Sequence, residues 1–267
     1  SRAARRRRPQ RTPPAMSDVR VIARLDIKSE NVIKGIHLEG LRVVGKPGEL
    51  AHKYYSEGVD ELLFMDVVAS LYERNSILPI VQDAARDIFV PMTVGGGIRT
   101  LDDIKAVLRS GADKVAINTA ATNRPEFLTE AAETFGSQCI VLSVEAIKRG
   151  QGHWEVMTDN GREKTGRNVI EWISEAESRG IGEVLITSVD TEGTENGFDI
   201  DLIQSVARAT TVPVIACGGA GTADHIAEVI EATKVSALAC ASILHYNKCD
   251  LATIKRRLRD LGCAVRP

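Results

Sequence analysis

Eight short apolar, β-branched runs alternate with eight longer helical patterns, and this alternation limits the possible folds more than any other feature of the chain. The runs cover residues 21–26, 61–66, 90–94, 114–118, 139–144, 183–188, 212–217 and 235–240. The helical patterns cover 47–57, 75–85, 101–110, 125–135, 168–179, 200–209, 222–230 and 251–261. Strands that alternate with helices predict a parallel sheet, because a parallel neighbour is reached through a crossover connection. The runs are near-continuously apolar, as expected of strands covered on both faces. Eight such units in 267 residues predict an α/β fold, a closed (β/α)₈ TIM barrel, with a doubly wound open sheet as the alternative.

The two halves of the chain echo each other. Residues 23–28, which contain Asp26, correspond to 143–148, which contain Glu145. Asp60-Glu-Leu-Leu-Phe corresponds to Gly182-Glu-Val-Leu-Ile, and Thr93-Val-Gly-Gly-Gly97 to Ala216-Cys-Gly-Gly-Ala-Gly221. The repeat distance is about 120 residues, half of one domain, and reads as duplication of a (βα)₄ unit. All βα units look somewhat alike, but the repeated double-glycine turn argues for a true repeat. Residues 16–267 are therefore expected to form one barrel domain.

Charge is distributed unevenly. Six of the first eleven residues are Arg, and no acid precedes Asp18. Residues 1–15 are rich in Arg and Pro, have no apolar stretch, and are expected to be a disordered basic extension ahead of a start at Met16. A short transit peptide is the alternative. Removing those six from the 34 Lys and Arg leaves 28 against 36 acids, so the remaining body is acidic. Such a body argues against a nucleic-acid surface. No run of about 20 apolar residues suggests a membrane span. The five cysteines show no metal-type spacing and the five histidines no close pair, so no metal site is expected. Reduced thiols in a cytoplasmic enzyme are expected.

In a barrel of this kind the loops after the strands carry function. Gly95-Gly96-Gly97 follows the third strand, and Gly218-Gly219-Ala220-Gly221 follows the seventh. Glycine lets backbone N–H groups approach an anion closely, and a following helix N-terminus adds partial positive charge. Tight turns are the plainer use of glycine. Each turn, however, is matched by the end of the next strand: Asn118-Thr119 after the fourth, Ala241-Ser242 after the eighth. Two opposed phosphate sites are expected, built from Gly96, Gly97, Asn118 and Thr119 and from Gly218, Gly219, Ala241 and Ser242. They suit a substrate with a phosphate at each end.

Asp26 ends the first strand and Glu145 the fifth, and in an eightfold barrel these strands face each other. Two such acids serve as general acid and base if their surroundings separate their pKa values. The alternative is that each pairs with a nearby lysine, Lys28 or Lys148. Residues 27–46 form a long connection that reads as a lid, with Lys34 available to a phosphate or a developing charge. A mobile loop of solvated charges is the other reading.

The segments Ile22-Ala-Arg-Leu-Asp26-Ile-Lys, Lys34-Gly35, Asp60-Glu-Leu, Thr93-Val-Gly-Gly-Gly-Ile98, Phe135-Gly-Ser-Gln138, Glu192-Gly-Thr194 and Cys217-Gly-Gly-Ala-Gly221 carry a resemblance. So does the run from Gly111 to Ala120. Together they resemble the family of imidazole glycerol phosphate synthase cyclase subunits, from about Arg20 to the C-terminus. The resemblance implies a lyase of histidine biosynthesis that needs no cofactor and works in a heterodimer with a glutaminase. Ammonia from that partner would pass through the barrel and attack a bis-phosphorylated ribulosyl-formimino aminoimidazole carboxamide ribotide. The products would be imidazole glycerol phosphate and an aminoimidazole carboxamide ribotide.

The resemblance assigns catalysis to Asp26 and Glu145 and adds Glu192 and Gly193 to the binding residues. It also implies an ammonia gate of Arg20, Glu61, Lys114 and Glu183 at the barrel floor, and it places Asp113 at the docking face. A salt-bridged plug is the plainer reading of the four charges. Three positions depart from the family pattern: Glu145 and Glu192 stand where it has Asp, and Cys217 where it has Ser. These departures motivate an alternative, a paralogue that uses channelled ammonia to aminate another metabolite, such as a nucleotide sugar in surface polysaccharide synthesis. A non-catalytic barrel that scaffolds a glutaminase is the third reading.

Overall fold

The structure is a computed structural model and describes residues 18–68, 77–233 and 235–266. The basic extension 1–15, Met16 and the start of the predicted helix 75–85 lie outside the described residues.

Eight parallel strands close on themselves. They are β1 (Arg20–Lys28), β4 (Glu61–Asp66), β5 (Met92–Gly95), β6 (Lys114–Ile117), β7 (Ile140–Gly150), β10 (Glu183–Ser188), β11 (Val214–Cys217) and β12 (Ala237–Cys240). Each pairs with the next, and β12 returns to β1 with Arg20 opposite Ala237. The expected (β/α)₈ barrel is therefore the fold. The outer helices are α1 (Pro47–Ser56), α2 (Leu78–Asp87), α3 (Leu101–Arg109), α5 (Glu126–Phe135), α6 (Val169–Ser178), α7 (Ile200–Ala209), α8 (Ala223–Thr233) and α10 (Leu251–Asp260). Their starts are written locally. Thr100 and Asp103 form a capping box on α3, and Asn168, Asp199 and Asp250 cap α6, α7 and α10 through their side chains.

The period of two along each strand sorts residues into two cores. On β1, Val21, Ala23, Leu25 and Ile27 pack outward under the helices, and Ile22 packs inward. The inner core is small: Ile22, Leu63, Ala116, Val141, Leu185, Ile215, Cys217, Ala237 and Ala239. Polar layers lie below and above it. This order places a charged floor, an apolar middle and a polar mouth along one axis.

Two features were not expected from sequence. The connection after β1 is an ordered antiparallel hairpin, β2 (Asn31–Ile36) and β3 (Glu39–Gly45), and β2 pairs directly with β1. The connection after β7 repeats the device with β8 (His153–Thr158) and β9 (Glu163–Asn168). The β8–β9 turn uses Asp159 and Asn160 at φ +51° and +59°, the left-handed region that these residue types tolerate. Short helices α4 (Thr119–Asn123) and α9 (Ser242–His245) also follow β6 and β12. Hairpins and short helices both recur at the duplication distance. The two halves thus match in backbone as well as in motif.

Candidate active site

Asp26 and Glu145 lie near the mouth ends of the parallel stretches of β1 and β7, which are diametrically placed in the barrel, and both are buried. Their partners differ in kind. Asp26 accepts a hydrogen bond from Arg24 Nε at 2.8 Å, and Lys34 Nζ lies 4.0 Å from its other oxygen. Burial acts to raise its pKa, and the Arg24 and Lys34 cations outweigh burial and hold the carboxyl below its ordinary value. Among the described residues Glu145 receives only neutral donors, Gly161 N–H at 2.7 Å and Asn118 Nδ2 at 3.3 Å. Burial dominates there and raises Glu145 to about 7, with Arg24 offsetting it in part. The acids pair with neither Lys28 nor Lys148. Near neutral pH one is a carboxylate while the other still carries a proton for much of the time, the condition an acid–base pair needs.

The first expected cradle is open. Gly96, Gly97, Asn118, Thr119, Glu145 and Asn160 line a cavity of about 480 Å³. Gly96 adopts φ +94°, and any side chain there would overlap the carbonyl oxygen of Asp66, so only glycine allows this turn. The hairpin of the second half borders it. Asp159 N–H donates to Thr119 Oγ1 at 3.3 Å, and Asn118 Nδ2 also reaches the carbonyl of Met157. Asn118 Oδ1 and Asn160 Nδ2 are buried polar atoms without partners among the described residues. Such atoms suit a polar ligand.

The second cradle has the same backbone and little space. Gly218, Gly219, Ala241, Ser242, Glu192 and Gly193 surround only about 10 Å³, although a separate cleft of about 670 Å³ opens on Lys34, Gly193 and Ser242. Gly218 matches Gly96, with φ +97° and the carbonyl oxygen of Ser188 against it, and the next residue, Gly219, has φ +105° and no room for a side chain against Gly197. Lys34 lies over this cradle in an ion pair with Glu192, and both are buried. The hairpin is also pinned by His37, whose N–H donates to the Glu192 carbonyl at 2.7 Å and whose Nδ1 lies 2.9 Å from the Val189 carbonyl. Here the structure corrects an expectation. Lys34 is not on a solvent-facing loop; it sits on β2, 4% exposed, because strand pairing with β1 draws the segment down over the mouth.

The four floor charges form a closed ring. Arg20 bonds Glu61 at 2.6 Å and also Glu183, while Lys114 lies 2.9 Å from Glu183 and 3.5 Å from Glu61. Asp113 is exposed beside the ring, and its carboxylate accepts the Met92 N–H at 2.8 Å.

Sequence reasoning missed Arg24. It is 2% exposed inside the barrel, and its NH1 reaches Thr187 Oγ1 at 3.1 Å and Cys217 Sγ at 3.3 Å. The signal was available: two residues before Asp26 on a strand, Arg24 must share its inward face. Gly161 and Asn160 were missed as well, and no local pattern ties a hairpin tip to an acid sixteen residues earlier.

Comparison with known proteins gives one consistent answer. The family model described as histidine biosynthesis protein matches residues 20–250. A protein of Legionella pneumophila, named imidazole glycerol phosphate synthase subunit HisF, is 58% identical over 206 residues, 77% of this chain and 97% of that protein. Proteins of the same name from Gluconacetobacter diazotrophicus and Streptococcus sanguinis are 47% and 44% identical. They cover 94% and 92% of this chain, and 97% and 98% of their own lengths.

Proposed function

The chain belongs to the histidine biosynthesis protein family, in its HisF branch, and from that membership we propose that it is the cyclase subunit of an imidazole glycerol phosphate synthase. It takes ammonia made by a glutaminase partner and converts the bis-phosphorylated ribulosyl-formimino ribotide to imidazole glycerol phosphate and the aminoimidazole carboxamide ribotide. The observation that carries the reading is the placing of two unlike acids across one mouth, between two glycine cradles of the same backbone.

The chemistry follows from that placing. The cradles hold the two phosphates, and the reacting middle of the substrate then lies between Asp26 and Glu145. Ammonia enters past the floor ring, between Arg20, Glu61, Lys114 and Glu183, and crosses the apolar middle. Asp26, ionised, accepts a proton from the attacking nitrogen. Glu145, protonated, donates one to the departing oxygen or nitrogen. Binding the second phosphate moves Lys34 from Glu192 to the phosphate, so substrate itself opens the closed cradle. The glutaminase docks at the floor beside Asp113, and the complex works in the cytoplasm.

The test supplies purified protein with the ribotide and saturating ammonium and follows loss of substrate absorbance. Turnover is expected, with a fall of about 10²- to 10⁴-fold in Asp26→Asn, the range of a lost acid–base group. Folded protein without turnover sinks the reading. The longer acid at Glu145 and the filled second cradle favour one other outcome in that case, amination of a different metabolite by the same ammonia route.

A further inference from the structure

A buried guanidinium at the centre of an active site is costly to fold and calls for a reason. Arg24 rises from β1 between the apolar middle of the barrel and its mouth. It crosses the interior to β10 and β11 through Thr187 and Cys217, while its Nε–H is held by Asp26. Its partner set is therefore one carboxylate and two weakly polar groups on other strands. In the duplicated half the corresponding strand position, two before Glu145, is Ser143, which has no charge. The two acids differ in this respect although their backbones match.

We propose that Arg24 is a positioning residue that assigns the two acids their roles, keeping Asp26 as proton acceptor and leaving Glu145 as proton donor. The proposal rests on the reading of the site given above and deepens it. The geometry is asymmetric in the required way. Asp26 has a guanidinium in direct contact and the Lys34 ammonium at 4.0 Å, so its charged form is neutralised on two sides. Glu145 has Gly161 and Asn118 as donors and no cation in contact among the described residues.

The remaining charged groups around the acids act in the same sense or weakly. Asp159, from the β8–β9 turn, and Asp26 across the mouth both favour the protonated form of Glu145. His245, from α9, is held down to about 4 by burial and is neutral at working pH. Lys34, from β2, divides its charge between Asp26 and Glu192, and Glu195 lies within electrostatic range of it. Cys217, from β11, gives its sulfur to Arg24. Among the described residues only Arg24 touches Asp26 without also being committed to a second carboxylate. Thr187 and Cys217 hold its NH1 across the barrel; from there its charge also acts to lower Glu145, but burial outweighs it.

The experiment titrates the two acids directly. Protein labelled with ¹³C at Asp and Glu carboxyls is followed by NMR against pH, with Asp26→Asn and Glu145→Gln supplying the assignments. In Arg24→Met the Asp26 midpoint is expected to rise by about 1 pH unit or more, the size of a lost contact with an opposite charge. Arg24→Lys, which keeps the charge, is expected to reverse most of that rise. Arg24→Gln keeps a hydrogen-bonding amide without the charge and covers the case in which the Met variant does not fold.

The acidic limb of the rate profile, expressed per free ammonia, should move with the Asp26 midpoint. A purely structural role would lower the rate at every pH and leave both midpoints in place; that result, in a folded Arg24→Gln or Arg24→Met protein, overturns the proposal. If the midpoints move but the wild type never turns over the ribotide, the positioning role stands and the cyclase reading fails.

Discussion

The two halves of this barrel share a backbone and differ in charge, and the difference is where chemistry enters. Each half begins with a strand that carries an acid at the mouth, continues into an antiparallel hairpin, and supplies a glycine turn and a short helix after its last strand. The first half surrounds its acid with Arg24 and Lys34; the acid of the second half has the N–H of Gly161 from its own hairpin and the amide of Asn118 from the first half. The first cradle stands open at its glycine turn, about 480 Å³, while at the second turn Lys34 and Glu192 leave about 10 Å³ and the open space, about 670 Å³, lies on the far side of Lys34, Gly193 and Ser242. Duplication builds two equal sides, and a few side chains then give each side a separate task.

The most severe way to break the comparison is to remove the ion pair that closes the second cradle. Lys34→Ala leaves Glu192 buried and unpaired, which costs about 3–5 kcal/mol. Urea unfolding should show that loss, and Lys34→Met combined with Glu192→Met should recover a large part of it. A loss below about 1 kcal/mol in Lys34→Ala, the size expected of an exposed pair, contradicts the buried latch.

The next effect sharpens the contrast between the acids. The folded pKa of Glu145, about 7, lies above the unfolded value of 4.5. The folded state therefore binds this proton more tightly. Stability from Glu145 is full below about pH 4.5, falls as pH rises from there to about 7, and stays low above it. Glu145→Gln should stabilise the fold at pH 8 by up to about 3 kcal/mol and by little at pH 5. Equal melting shifts at both pH values would show that Glu145 does not hold its proton. Asp26, with its folded value lowered, has the opposite sign: it supports the fold above its unfolded pKa and withdraws that support as pH falls through the folded one.

The smallest effect concerns the cradles. Inorganic phosphate in crystals or in NMR titration should fill the Gly96–Thr119 cradle first, because its space already exists. The Gly219–Ser242 cradle should fill only as Lys34 leaves Glu192, so Glu192→Gln should raise its phosphate affinity, by about tenfold or less. Phosphate found first in the second cradle would reverse the order given to the two halves.

Much of this was readable from residues in order. Glu61–Asp66 and Glu183–Ser188 are apolar runs that meet their strand boundaries in the structure, and Ile200–Ala209 does the same as a helix. The glycines at 96 and 219 announced turns that no other residue could take. The hairpins were less legible. Residues 31–45 and 153–168 mix charge with apolar residues, and their strand character comes from pairing with β1 and β7 rather than from their own pattern. Arg24 was legible in direction and not in meaning, since its partners Thr187 and Cys217 are distant in sequence.

Order along the chain determined the barrel, its duplication, the two opposing acids, the glycine turns and the four charges of the floor. Those depend on strand period, helix capping and the steric freedom of glycine, which act over a few residues. Closure of the barrel decided the rest: that Lys34 is buried against Glu192, 158 residues away, and that Asp26 loses its proton where Glu145 keeps one. A proton equilibrium depends on desolvation and on charges a few ångströms away in space, and neither exists until the strands have met.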